Sequence, residues 1–93
     1  MDAKLMLKER HAISEDAFVE MVVWQLPSPI VGSRHAFKYS LAFVVNGRCV
    51  LRYDNERGKG DHKHVGEEQI SYVFTTPQAL LNDIWNDVDN WRY

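Results

Sequence analysis

Residues 54–64 read D-N-E-R-G-K-G-D-H-K-H, without one apolar side chain. A stretch of this kind has nothing to bury, so it is expected as a solvated connection or as a site. His62 and His64 carry imidazoles, the side-chain type that suits the acid and the base of phosphodiester cleavage at a ribose. One would take the proton of the 2′-hydroxyl, the other would protonate the leaving oxygen, and nearby cations would hold the developing phosphorane charge. Lys59 joins them as a catalytic cation, and Asp61 as a carboxylate that orients the imidazoles. Arg34, Arg52, Arg57 and Lys63 are candidates for the phosphate, Tyr39 and Tyr53 for stacking a base or donating a hydrogen bond, and Asp54 for orienting the cations.

The same residues admit other chemistry. Asp61, His62 and His64 suit zinc, manganese or iron, which would make a metal-dependent hydrolase. Metal sites draw ligands from distant elements, however, and the remaining histidines, His11 and His35, read as edge-strand residues. Two glycines around Lys59 allow backbone N–H groups to converge on an anion. A nucleotide loop of the Walker type is not written here, because Asp61 and His62 follow G-K-G where Ser or Thr and a helix are needed. The acid–base reading therefore leads and requires no cofactor. A non-catalytic module that binds protein or nucleic acid through this stretch is the alternative.

Any such site needs a scaffold. The chain has 93 residues, 45% of them hydrophobic, and reads as one small domain over 1–93. Burial per residue is modest at this size, so a partner, or a second copy in a homodimer, would add to its stability. A net charge of −2 excludes a global basic field and confines any attraction for an anion to a local patch. The lone Cys49 excludes a disulfide framework and a cysteine-based zinc motif, fits a reducing compartment, and reads as a small core residue. Charges interrupt the N-terminal segment where a signal peptide needs an apolar run, and no stretch approaches a membrane span. The cytoplasm is the expected location.

Periodicity sets the elements. Lys4–Ile13 and Phe18–Leu26 are rich in strand formers and predict a first hairpin across S-E-D-A. The prolines and glycine of Pro27–Arg34 then predict a mobile surface loop. Phe37–Val45, Asn46-Gly47 and Arg48–Asn55 predict a second hairpin with a type I′ turn, in which facing residues sum to 93. Tyr39 would lie opposite Asp54, Leu41 opposite Arg52 and Phe43 opposite Val50, all on one face. Lys38, Ser40, Tyr53 and Asn55 would take the other face. Gln69–Phe74 is a last strand, and a helix follows with Thr76 as N-cap, Pro77 in its first turn and an apolar stripe of Leu80, Leu81, Ile84, Trp85, Val88 and Trp91. Trp24, Trp85 and Trp91 read as core or interface anchors. The fold class is α+β, a mostly antiparallel sheet of about five strands with the C-terminal helix packed on it.

Three motifs, V-V-W-x-L-P-x-P, S-R-H-x-F-K-Y and above all R-Y-D-N-x-x-G-K-G-D-H-x-H, resemble the TumE-type family of small toxins from prokaryotic toxin–antitoxin pairs. The similarity runs through L-L-N-D-I-W-N-D-V and so covers nearly the whole chain. It implies a toxin held inactive by a cognate antitoxin of the TumA type, with a helix-turn-helix DNA-binding domain. RNA as substrate follows only by analogy with other small toxins.

Overall fold

The computed structural model describes residues 2–91. Among them, six strands follow in chain order: β1 (Lys4–Ser14), β2 (Ala17–Gln25), β3 (Phe37–Val45), β4 (Arg48–Glu56), β5 (Gly60–Val65) and β6 (Glu68–Ser71). Each pairs antiparallel with the next, so the sheet is a meander in which both hairpins lie side by side. One helix, α1 (Pro77–Asp89), closes the fold. This is the expected α+β architecture with one strand more than the sequence suggests. The extra strand is β5, made from the polar stretch read as a connection. No helix among the described residues is long and apolar enough to cross a membrane.

The core lies between α1 and one face of the sheet. Along β2 the buried residues are Ala17, Val19, Met21 and Val23, the two-residue period of a strand with one face covered. Tyr39, Leu41, Phe43 and Val45 continue that face on β3, and Leu51 and Tyr53 on β4. Leu80, Ile84 and Val88 close it from the helix, with Leu81, Trp85 and Trp91 packed at its margins. Burying each of these aliphatic side chains contributes about 1.5–3 kcal/mol. Thr76 caps the helix, its hydroxyl oxygen accepting from the Ala79 N–H at 3.1 Å, and Pro77 fills the first turn. Trp24 is not a core anchor, since it sits exposed on the uncovered face.

The β3–β4 register departs from the expected one through a single residue. Asn46 and Gly47 take positive φ as the turn requires, and Val45↔Arg48 and Val44↔Cys49 pair as expected. Between Phe43 and Val44 the register shifts, and Phe43 pairs with Leu51, Leu41 with Tyr53 and Ser40 with Asp54. One extra residue reverses the facing of everything beyond it. Leu51, Tyr53 and Asn55 turn into the core, while Arg52 and Asp54 turn out. The regular register would have set both charges under the helix, where burial without partners is costly. Cys49, expected in the core, is exposed at this end of the ladder.

Two residues of the polar stretch are buried where the whole of it was expected to be solvated or a site. Asn55 is 0% and His62 3% exposed. Asn55 Oδ1 accepts from the Tyr39 N–H at 3.0 Å and its Nδ2 donates to the Phe37 carbonyl at 2.7 Å, so its side chain replaces ladder bonds between β3 and β4. Full hydrogen bonding is what makes its burial tolerable. The Pro27–Arg34 loop is tied to the β4–β5 turn, with the Gly58 N–H donating to the Val31 carbonyl at 2.6 Å. A Cβ on Gly32, which has φ +90, would lie 3.1 Å from Gly58 Cα. Only glycine allows so close a crossing.

Candidate functional site

The face of the sheet away from α1 is uncovered, and the register writes its contents. One row across the strands is Lys8, Val22, Ser40, Asp54, His62 and Ser71; the next is Arg10, Glu20, Ala42, Arg52, His64 and Gln69. Asp54 and His62 are a directly opposed cross-strand pair, and His64 is two residues further along β5 on the same face. Asp54 Oδ1 lies 2.9 Å from His62 Nε2 and 3.5 Å from His64 Nε2, and Glu56 Oε1 lies 3.9 Å from His62 Nε2. The two imidazoles meet edge to face with centroids 4.9 Å apart.

Exposure divides their roles. The His64 side chain is 34% exposed, whereas His62 is enclosed, with Asp54 between them in accessibility. His64 is thus the imidazole that can meet a substrate. The short Asp54–His62 contact lies off the hydrogen-bond direction, and neither Asp54 Oδ1 nor His62 Nδ1 has a hydrogen-bond partner among the described residues. Cys49, Arg52 and His64 line a surface hollow of about 250 Å³ beside the cluster. Arg10 pairs with Glu20 at 3.3 Å, and the Lys38 ammonium donates to the Asn55 carbonyl.

The remaining candidates are elsewhere. Asp61 and Lys63 point to the helix side, because alternate residues of a strand face opposite ways. Asp61 Oδ1 accepts from the Tyr39 hydroxyl at 2.6 Å and from His35 Nε2 at 2.8 Å. The tautomer follows from the other ring nitrogen, since His35 Nδ1 accepts from the Phe37 N–H at 3.1 Å. His35 also stacks on Phe74, with centroids 3.9 Å apart, so it is a packed junction residue and not the edge-strand residue expected. Lys63 Nζ lies 2.6 Å from Asp87 Oδ2, and the Tyr53 hydroxyl donates to the same carboxylate. These groups fasten the helix to the sheet.

Burial pushes the Tyr39 and Tyr53 phenols well above the usual tyrosine range, and their hydrogen bonds to Asp61 and Asp87 push them further. Both therefore remain protonated donors. Arg34 is exposed in the β2–β3 loop and Arg57 in the β4–β5 turn. Lys59 is also at that turn, 67% exposed and 3.4 Å from Glu56. The backbone anion site expected at Gly58–Gly60 is consumed internally, by the Gly58 N–H to Val31 and the Lys59 N–H to the Glu56 carbonyl at 3.1 Å.

Of the expected residues, the structure brings together Arg52, Asp54, His62 and His64. The metal-ligating set that shares a face is Asp54, His62 and His64, with Asp54 in the place assigned to Asp61. The signal was present in the alternation D-x-E before the glycine turn and H-x-H after it, which puts two acids and two imidazoles on one face once the stretch is read as a hairpin. The family model described as Toxin TumE matches residues 2–92 of the chain. No curated protein and no solved structure matches it.

Proposed function

The chain belongs to the TumE toxin family and is the toxin component of a toxin–antitoxin system, and from that premise we propose that it cleaves RNA on the uncovered face of its sheet. The observation that supports this most is the grouping of Asp54, His62 and His64 beside Arg52 on a face that no element covers. In this reading His64 takes the proton from a ribose 2′-hydroxyl while the 2′-oxygen attacks phosphorus. The bond to the 5′-oxygen breaks, leaving a cyclic phosphate, and the imidazolium of His64 returns its proton to that oxygen. The Asp54 carboxylate, 3.5 Å from His64 Nε2, stabilises the imidazolium by its charge, and the enclosed His62 ring packs beside both. Arg52 carries the growing phosphoryl charge. Lys8 on the same face and the exposed Trp24 offer the electrostatic and stacking contacts that single-stranded RNA needs.

Neutralisation follows from the same surface. An antitoxin of the TumA type, with a helix-turn-helix domain, would silence the toxin by laying carboxylates over Arg52 and the imidazoles. An RNA target of this kind would place the toxin's action in the cytoplasm.

The test is incubation of purified toxin, free of antitoxin, with total RNA, with and without EDTA. Cleavage that survives EDTA and is lost in folded His64→Gln and Asp54→Asn variants is expected. RNA retained in a mobility-shift assay but never cut would make the protein a binding module instead.

A further inference from the structure

We infer that Asp54, His62 and His64 form a binding site for one divalent transition-metal cation, with zinc as the best-matched ion. Tetrahedral zinc with Zn–N and Zn–O distances near 2.0–2.2 Å separates neighbouring ligand atoms by about 3.3 Å. Asp54 Oδ1 stands 2.9 Å from one imidazole nitrogen and 3.5 Å from the other, so the cluster brackets that spacing. One donor atom from each of the three residues lies within 4.8 Å of the others. Two of the three ligand separations already match the spacing, and a rotamer adjustment of the imidazoles would bring all three donors onto one ion.

The hydrogen bonding points the same way. A carboxylate that merely orients a histidine accepts a linear N–H bond. Here Asp54 Oδ1 is buried and unpartnered among the described residues, although His62 Nε2 is within 2.9 Å of it. The His62 ring is enclosed and its Nε2 is aimed into the cluster. Donors that converge without bonding one another suit a shared cation between them. The ligands come from two adjacent strands held by the β4–β5 ladder, so the site is rigid, and Glu56 is close enough to contribute a further oxygen. Two imidazoles and one carboxylate select zinc-class ions over magnesium and calcium, which require oxygen ligands.

The consequence for activity rests on the reading of this cluster as the cleaving centre. A nitrogen that coordinates a metal has no lone pair left for a proton. Zinc occupancy and acid–base cleavage by His64 are therefore mutually exclusive, and the metal acts as an inhibitor.

The experiment is titration of the chelator-treated full-length toxin with zinc sulfate against a chromophoric chelator, with cobalt absorption as a spectroscopic check. One equivalent is expected to bind, with visible bands of four-coordinate cobalt, and magnesium should not compete. Affinity should fall at least tenfold in His64→Gln and Asp54→Asn, which leave the enclosed His62 in place, and should be unchanged in His35→Gln on the other face. Zinc binding no tighter in the wild type than in His64→Gln overturns the site. RNA cleavage measured on the same samples separates the two readings. Stoichiometric zinc that abolishes cleavage supports both; stoichiometric zinc that is required for cleavage supports the site and overturns metal-free catalysis. Cleavage that continues beside an absence of zinc binding overturns the site alone.

Discussion

Tyr39 and Asp54, which a regular hairpin from the Asn46–Gly47 turn would set face to face, lie on opposite faces of the sheet. The bulge between Phe43 and Val44 thus separates a structural hydroxyl from a functional carboxylate, and their substitutions should separate too. Tyr39→Phe removes the hydrogen bond to Asp61, which keeps its bond from His35, so it should cost about 1–2 kcal/mol of stability and leave RNA cleavage within twofold. Asp54→Asn should lower cleavage by about a hundredfold with little change in the urea midpoint. Parallel denaturation and cleavage assays on both variants check this, and a Tyr39→Phe enzyme as inactive as Asp54→Asn would place the site on the wrong face.

Asn55 should be a keystone of the fold. It joins β3 to β4 through two side-chain bonds at full burial, with Tyr39 N–H as donor and Phe37 carbonyl as acceptor. Asn55→Ala leaves both backbone groups buried and unpaired, at about 1–3 kcal/mol each. A fall of about 2–5 kcal/mol in unfolding free energy, seen as a lower urea midpoint at unchanged slope, is expected.

The parts of the fold that were legible in the sequence are those set by local periodicity. The two-residue period of β2, the Asn-Gly turn, and the Thr-Pro start and apolar stripe of α1 each depend on neighbours a few residues away, and all three are found. The site was legible only as a composition. His62 and His64 were identifiable as imidazoles, but sharing a face with Asp54 requires the polar stretch to be a hairpin, and that this face is the uncovered one depends on a bulge that no residue type between Phe43 and Leu51 announces. The burial of two residues in the polar stretch was hidden for a related reason. Asn55 and His62 are enclosed because distant groups meet them, and those meetings arise from a sheet order that single-strand patterns do not encode. His35 shows the same limit, since its partners Asp61 and Phe74 come from much later in the chain.

The tyrosines make an alkaline limit. Tyr39, Tyr53 and Tyr72 are each raised above the ordinary phenol by burial first and then by hydrogen bonds to Asp61, Asp87 and Asp83. Between the unfolded value near pH 10 and the higher folded values, the native state holds protons that the unfolded state releases. Stability from these groups is therefore full below about pH 10 and is lost as pH rises above it. Thermal melts should be flat with respect to these groups up to that point and fall beyond it, and Tyr53→Phe should flatten the decline. A midpoint indifferent to pH between 9 and 11 would contradict the burial of these hydroxyls.

Arg52 and Lys59 offer a way to locate the RNA path. Arg52 stands on the uncovered face in the row of His64, with which it pairs across β4 and β5, whereas Lys59 projects from the β4–β5 turn beside Glu56. If phosphate sits at the imidazoles, Arg52→Ala removes one phosphate contact and should reduce the slope of log affinity against log salt by about 0.7, the share of one contact on a single strand. Lys59→Ala should leave that slope unchanged. Fluorescence anisotropy with a short labelled RNA across a salt series measures both. Equal slopes lost in the two variants would instead run the strand over the turn, past the Gly58 crossing, and would leave Asp54, His62 and His64 beside the substrate and not beneath it.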